Sequence, residues 1–240
     1  MGVLQLAQSK IPTLAEEEFA FTNTSNFDTI ANLGNECNGI VMEATVVYFR
    51  IKNIPLLLKT GKRLATRFYK IYYHILNMVC QETGGYLNCY SPDSFLLIYP
   101  KEIHGVSEVV DTAIKTAELI SVSLRETIEK IGHINFAMGI DKGNILGTRV
   151  FNGSNYNQTI WFGNTIHKAQ TICGECNRPF FVGVSGSVFH HLDEDMKVTT
   201  KRIIGFKKQV ELWNRVSYEF ENVKHHFYQT NFLKKFEEDA

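Results

Sequence analysis

Apolar positions along this chain change their period several times, and each change marks a boundary between elements. The segment EATVVYFRI (43–51) is β-branched and aromatic, which predicts a buried strand. From Pro55 to about Glu82, residues Leu58, Leu64, Phe68, Ile71, Tyr72, Ile75, Leu76 and Val79 recur at three and four. That spacing predicts one long amphipathic helix, stopped by Gly84-Gly85. YLNCY (86–90) and SFLLIYP (94–100) flank Ser91-Pro92-Asp93, the pattern of a tight hairpin. A second helix is expected over 106–131, with Val109, Val110, Ala113, Ala117, Ile120, Leu124 and Ile128 on one face and Gly132 after it.

HINFAMGI (133–140) reads as a strand that Asp141-Lys142-Gly143-Asn144 turns back into ILGTRV. Another strand follows at 157–163, a short helix at Asn164–Ile172, a strand at 180–185 and a helical turn at 186–192. The segment 197–216 alternates as a hairpin around Gly205. Residues 1–40 form a polar arm, with FTNTSNFD (21–28) as loop or cap. Residues 217–240 form a charged, aromatic extension (Tyr218, Phe220, Phe227, Tyr228, Phe232, Phe236), read as a helix that covers the core or meets a partner. The order β-α-β-β-α-β-β with further αβ elements is that of an α+β, ferredoxin-like core in one domain over 41–216.

Composition narrows the function classes. The 240 residues carry 44% hydrophobic and 21% charged side chains, with 25 basic against 25 acidic. Exact charge balance argues against nucleic acid as the main partner, since duplex binders carry a basic excess. The longest apolar runs are too short to span a bilayer, and MGVLQLAQSKIPTL lacks the pattern of a secretory signal. A lone Gly2 is weak evidence for a lipid anchor. Five cysteines without an export signal point to free thiols and a cytoplasmic setting. Cys173 and Cys176 are half of a zinc or redox motif, but no second pair follows, so two free thiols are the simpler reading. Lys62, Arg63, Arg67 and Lys70 make a solvated face or an electropositive patch of the kind that, with aromatics, can touch single strands.

Four local signatures in the same order carry a family resemblance over roughly 42–216. They are EATVVYFRI, ETGGYLNCYSPDSFLLIYP (82–100), FAMGIDKGNILGTRV (136–150) and NYNQTIWFGNTIHKAQTI (155–172). Together they resemble the class III adenylyl and guanylyl cyclase catalytic domain, and most nearly the bacterial pyrimidine nucleotide cyclases of Pycsar antiphage systems. The resemblance implies a cyclase-homology domain whose sites are built across a dimer interface.

In that family two divalent cations activate the ribose 3′-oxygen and neutralise the triphosphate. They need one carboxylate from the first strand and one from the hairpin turn. By the resemblance the hairpin carboxylate is Asp93 and the first-strand position is Arg50. A guanidinium stays protonated, and at 4 Å with an effective dielectric near 20 the exchange opposes metal binding by roughly 10 kcal/mol or more. The ribose-orienting Asn aligns with His167 and the phosphate-stabilising basic residue with Thr171. The Asp before the Trp aligns with Gln158, the base-reading Asp with Ile160, and the base-reading Lys or Glu of the hairpin with Cys89. Lys168 or His167 is placed to take part of a lost role.

The resemblance therefore implies a catalytically impaired homologue: a dimeric scaffold, a regulatory half or a nucleotide sensor. Its partner is then a second copy or an intact cyclase, and any nucleotide pocket involves Arg50, Cys89, Asp93, Ile160 and His167. No cofactor is expected on this reading. The alternative is an active, divergent cyclase that holds Mg or Mn through Asp93 and makes a 3′,5′-cyclic nucleotide. Arg50 beside Asp93 reads as an ion pair filling the vacated metal position, or as a direct phosphate contact.

Overall fold

In the central strands, the apolar runs are buried on both faces. The computed structural model describes residues 5, 18–31, 33, 38–59, 61–124, 135–151, 157–176, 181–203 and 206–232. Along β2 (Asn38–Lys52), Val47, Phe49 and Ile51 join one apolar cluster, while Ala44, Val46 and Tyr48 join another on the opposite face. β4 (Ser94–Pro100) divides in the same way, with Phe95, Leu97 and Tyr99 to one side and Leu96 and Ile98 to the other. Strands sandwiched in this manner show continuous apolar runs instead of alternation.

α3 (Lys62–Thr83) and α4 (Val106–Ser123) cover the first face. α3 presents Phe68, Tyr72, Ile75, Leu76 and Val79, and each such buried side chain contributes roughly 1.5–3 kcal/mol. Its C-terminus closes on Gly84, whose φ of 68° is the left-handed cap that favours glycine. α5 (Asn164–Glu175) covers the second face with Ile166, Ala169, Ile172 and Cys173.

The main sheet, as described, has nine strands. β3 (Tyr86–Ser91), β4, β2 and β5 (Asn135–Phe151) lie in the antiparallel order β5-β2-β4-β3, which is the ferredoxin-like arrangement expected. Beyond β5 the sheet continues through β7 (Val182–Ser185), parallel to β5, and then β11 (Val223–Thr230) and β10 (Asn214–Phe220). β1 (Ala20–Asn23) adds in parallel to the start of β2, and β6 (Asn157–Phe162) pairs with the end of β5. β8 (Val198–Ile203) and β9 (Phe206–Glu211) form the separate hairpin expected near Gly205. Short helices α1 (Phe27–Ala31), α2 (Ile54–Lys59), α6 (Gly186–Phe189) and α7 (Glu194–Lys197) also lie among the described residues.

Three expectations are corrected. The long helix is two helices, α2 and α3, divided at 60–61, where Gly61 takes φ 98°. Asp141–Asn144 is not a turn: β5 runs on through it, paired with β2 from Lys52↔Asn135 to Gly39↔Thr148. The stretch from 217 is not a helix but most of a hairpin, β10–β11, whose second strand joins the main sheet at β7. The end of the expected second helix, residues 125–131, and the last part of the extension, 233–240, lie outside the described residues.

Candidate functional site

The C-terminal end of β2 carries Arg50, the first-strand position that the family resemblance singles out. Arg50 lies opposite Ala137 of β5 and Ser94 of β4, which puts it on the α5 side of the sheet. The β3–β4 turn brings Asp93 beside it. Ile51 N–H donates to the Asp93 carbonyl at 2.8 Å, tying the turn's backbone to β2. Ser91 Oγ donates to one carboxylate oxygen of Asp93 and lies 2.6 Å from Ser94 Oγ. The other carboxylate oxygen faces Arg50 Nε at 3.6 Å, with the Arg50 side chain 50% exposed and that of Asp93 27%. The sequence pair is thus an ion pair at the sheet's end.

Cys89 is not part of this group. It pairs with Phe95, so it faces the α3 side, and its hydrogen bond runs to the Ser91 carbonyl at 3.4 Å. Burial pushes its thiol pKa up. The β3 residue next to Cys89 that lies on Arg50's face is Asn88, which pairs with Leu96. Strand parity separates the two: directly opposite residues in an antiparallel pair share a face. Of the expected pocket of Arg50, Cys89, Asp93, Ile160 and His167, Cys89 therefore stands apart from Arg50 and Asp93, on the opposite face of the sheet.

The remaining residues sit on β6 and α5. Gln158 and Ile160 are exposed on β6, where Ile160 lies opposite Thr148. His167 is exposed on α5, and Thr171 donates its hydroxyl to the His167 carbonyl at 2.9 Å, a bond internal to the helix. Lys168 lies 5.7 Å from the Phe220 ring centroid and helps to lower the Asp141 pKa. Among the described residues no hydrogen bond or ion pair joins Arg50 or Asp93 to Ile160, His167 or Thr171. Tyr90 links the hairpin to β6 by donating to the Trp161 carbonyl at 2.6 Å, and burial next to Tyr48 pushes its pKa up to about 12.

Two polar features escaped the sequence reading. Lys52, two residues beyond Arg50 on the same face, donates to the Gly174 carbonyl at 3.0 Å and to that of Cys176. It neutralises the negative end of the α5 dipole. Strand alternation from Arg50 was the available signal. Asp141 is only 4% exposed and accepts from Ser185 Oγ at 2.6 Å and Ser187 Oγ at 3.2 Å. Burial raises its pKa against the lowering effect of those bonds and of Lys168. Hidden in an expected turn, it carried no sequence signal.

The cysteine pair lies at the end of α5, not in a loop after it. Cys173 is within the helix and Cys176 caps it, both free and buried. Cys173 donates to the Ala137 carbonyl at 3.2 Å, and burial pushes its thiol up to about 12. Among the described residues no group of three or more His, Cys, Asp or Glu side chains is gathered as a metal site, and no helix is long and apolar enough to cross a membrane.

A ferredoxin-like sheet with these flanking helices and added strands is the architecture of class III nucleotide cyclase catalytic domains, and solved structures bear the likeness out. The guanylyl cyclase Cya2 superposes with a TM-score of 0.61 at 10% identity, covering 82% of this chain and 95% of its own. A class III adenylyl cyclase-like ATP-binding protein from Pseudomonas aeruginosa gives 0.62 at 14% identity, over 80% of this chain and 44% of that one. The dimeric guanylyl cyclase domain of a rhodopsin fusion protein from the aquatic fungus Blastocladiella emersonii gives 0.56 at 14%, over 79% and 96%. At these identities the likeness is one of fold. No protein-family model matches the chain, and no curated protein matches it in sequence.

Proposed function

We propose that this chain is a cyclase-fold protein that does not itself cyclise nucleotides and acts as one half of a dimer, as scaffold, regulatory subunit or nucleotide sensor. The observation that carries the reading is the Arg50–Asp93 ion pair. It puts a permanent cation where the fold's catalytic members need a second carboxylate. The vestigial positions Gln158 and Thr171 carry no cation for a transferring phosphate, and the basic side chains on α5 beside them are His167 and Lys168.

Dimerisation is supported by the surface around β6. Ile160 and Phe162 project outward on one side of β6, close to the exposed Tyr90, and a second chain would cover them. Light scattering on the purified chain tests this: a dimer is expected, and Ile160→Glu with Phe162→Glu should yield monomers. A wild-type monomer at every concentration would overturn the homodimer and leave only a heterotypic partner. The partly exposed Asp93 carboxylate favours the second reading, an active divergent cyclase holding Mg or Mn there.

A further inference from the structure

The solvent face of α3 combines two surfaces that suit different parts of one ligand. Lys62, Arg63, Arg67, Lys70 and His74 are all exposed along it. Between Lys62 and Gln81 the helix contains no Asp or Glu, although the whole chain is charge-balanced. Among the described residues none of the four Lys and Arg side chains meets a carboxylate. Like charges at i,i+4, as at Arg63 and Arg67, weaken an isolated helix, so the stripe is not explained by helix stability.

These cations line an open depression of about 750 Å³. A second, of about 760 Å³, adjoins it and shares Thr66, Lys70 and His74. Its walls are aromatic and apolar: Tyr69 and Tyr73 from α3, with Cys89, Pro92 and Phe95 from the β3–β4 hairpin. Tyr73 is 48% exposed, with its ring 5.6 Å from that of Phe95. A row of cations beside the exposed Tyr73 ring and the partly buried Tyr69 fits a phosphodiester backbone on one side and a stacked, unpaired base on the other. The stripe from Lys62 to His74 spans roughly 18 Å of helix, enough for a few consecutive phosphates. Both depressions are open and lie along the helix, so they fit a strand laid across the surface better than a small molecule enclosed in a pocket.

We propose that this face of α3 binds single-stranded nucleic acid. The proposal does not rest on the Arg50–Asp93 reading: its cations and rings belong to α3, and Asp93 enters only as a charge near Tyr69, whose pKa burial and that carboxylate both raise. Charge balance over the whole chain argues against such a partner; the structure shows a local patch of four Lys and Arg side chains on one helix face beside the exposed Tyr73 ring.

The test is fluorescence anisotropy with labelled single-stranded RNA and DNA oligonucleotides of mixed sequence, a duplex of equal length and a poly-glutamate peptide. Either single strand should bind saturably. With three phosphates neutralised, affinity should fall on the order of 20-fold between 50 and 200 mM salt. Arg67→Glu with Lys70→Glu should abolish most binding and flatten the salt dependence. Tyr73→Ala should weaken binding roughly tenfold with the salt slope unchanged. Lys224→Glu, an exposed charge reversal on β11, should leave affinity within twofold. Failure of both single strands to bind at 50 mM salt would overturn the proposal. Duplex or poly-glutamate binding as tight as the single strands, or Tyr73→Ala binding like wild type, would overturn it too.

Discussion

Replacing Arg50 by Asp should convert the ion pair into a metal site, and the structure sets the size of the change. At 3.6 Å the wild-type pair has a raw Coulomb attraction of about 1 kcal/mol at the dielectric of water and near 5 at an effective dielectric of 20. With Arg50 half exposed, solvent screening and side-chain entropy reduce its net contribution to under about 1 kcal/mol. Arg50→Asp removes that attraction and sets two carboxylates side by side. The metal-free variant should therefore be destabilised by about 1–2 kcal/mol, or roughly 2–8 °C in Tm for a chain of this size. A divalent ion feels a larger effect. Exchanging a positive for a negative charge at about 4 Å changes its energy by about 4 kcal/mol even at the dielectric of water, close to a thousandfold in Kd. Titration calorimetry with Mn²⁺ reads the affinity, and melting with and without Mn²⁺ reads the linked stability. Arg50→Asp should bind Mn²⁺ far more tightly than wild type and regain its lost Tm. Equal Mn²⁺ affinity in the two proteins would refute the argument that Arg50 blocks a metal position.

Other consequences follow from the packing and the buried titratable groups. A Cβ on Gly139 would lie 3.0 Å from the Ala169 carbonyl carbon and closer still to its oxygen and to Cys173 N. Gly139→Ala should thus cost at least about 3 kcal/mol in urea denaturation, and a loss below 1 would show that α5 is not seated on β5 as described. Asp141 has a raised pKa, so the folded chain holds this proton more tightly than the unfolded one does. Its contribution to stability falls as pH rises from the ordinary carboxylate value near 4 through the raised folded value. The stability difference, wild type minus Asp141→Asn, should decline over that window, and a difference that rises with pH would contradict the assignment. Native-state alkylation read by mass spectrometry should label exposed Cys89 while sparing Cys80 and Cys173, whose thiols burial pushes up to about 12. Equal labelling of Cys89 and Cys173 would place the α5 helix end incorrectly.

Much of this architecture is legible in residue patterning because the central strands are buried on both faces. β4 stands out as an unbroken apolar run, Phe95 to Pro100, between Ser94 and Lys101. β10 and β11 are edge-side strands whose outer positions are polar. Within them Tyr218 and Phe227 are among the few buried side chains, so the alternation is too sparse to distinguish from a helix. Asp141–Asn144 has turn composition, yet Gly143, at φ 153°, stays paired opposite Ala44 in the continuous ladder. Tertiary pairing with β2 overrides the local preference. Arg50 and Asp93 are legible through the family resemblance, which aligns the first strand and the hairpin turn that carry them. Cys89, which the resemblance aligns with the base-reading position, faces away from Arg50, because in a strand a single step exchanges one face for the other.

The account rests on the claim that this cyclase fold does not cyclise. The most direct measurement is product formation from each of the four nucleoside triphosphates with Mn²⁺, using the purified wild-type chain beside an Asp93→Ala control. The expected result is no cyclic nucleotide from any triphosphate, alike in both proteins. A cyclic product formed by wild type and lost in Asp93→Ala would contradict the account and make Asp93 a metal ligand of a working active site.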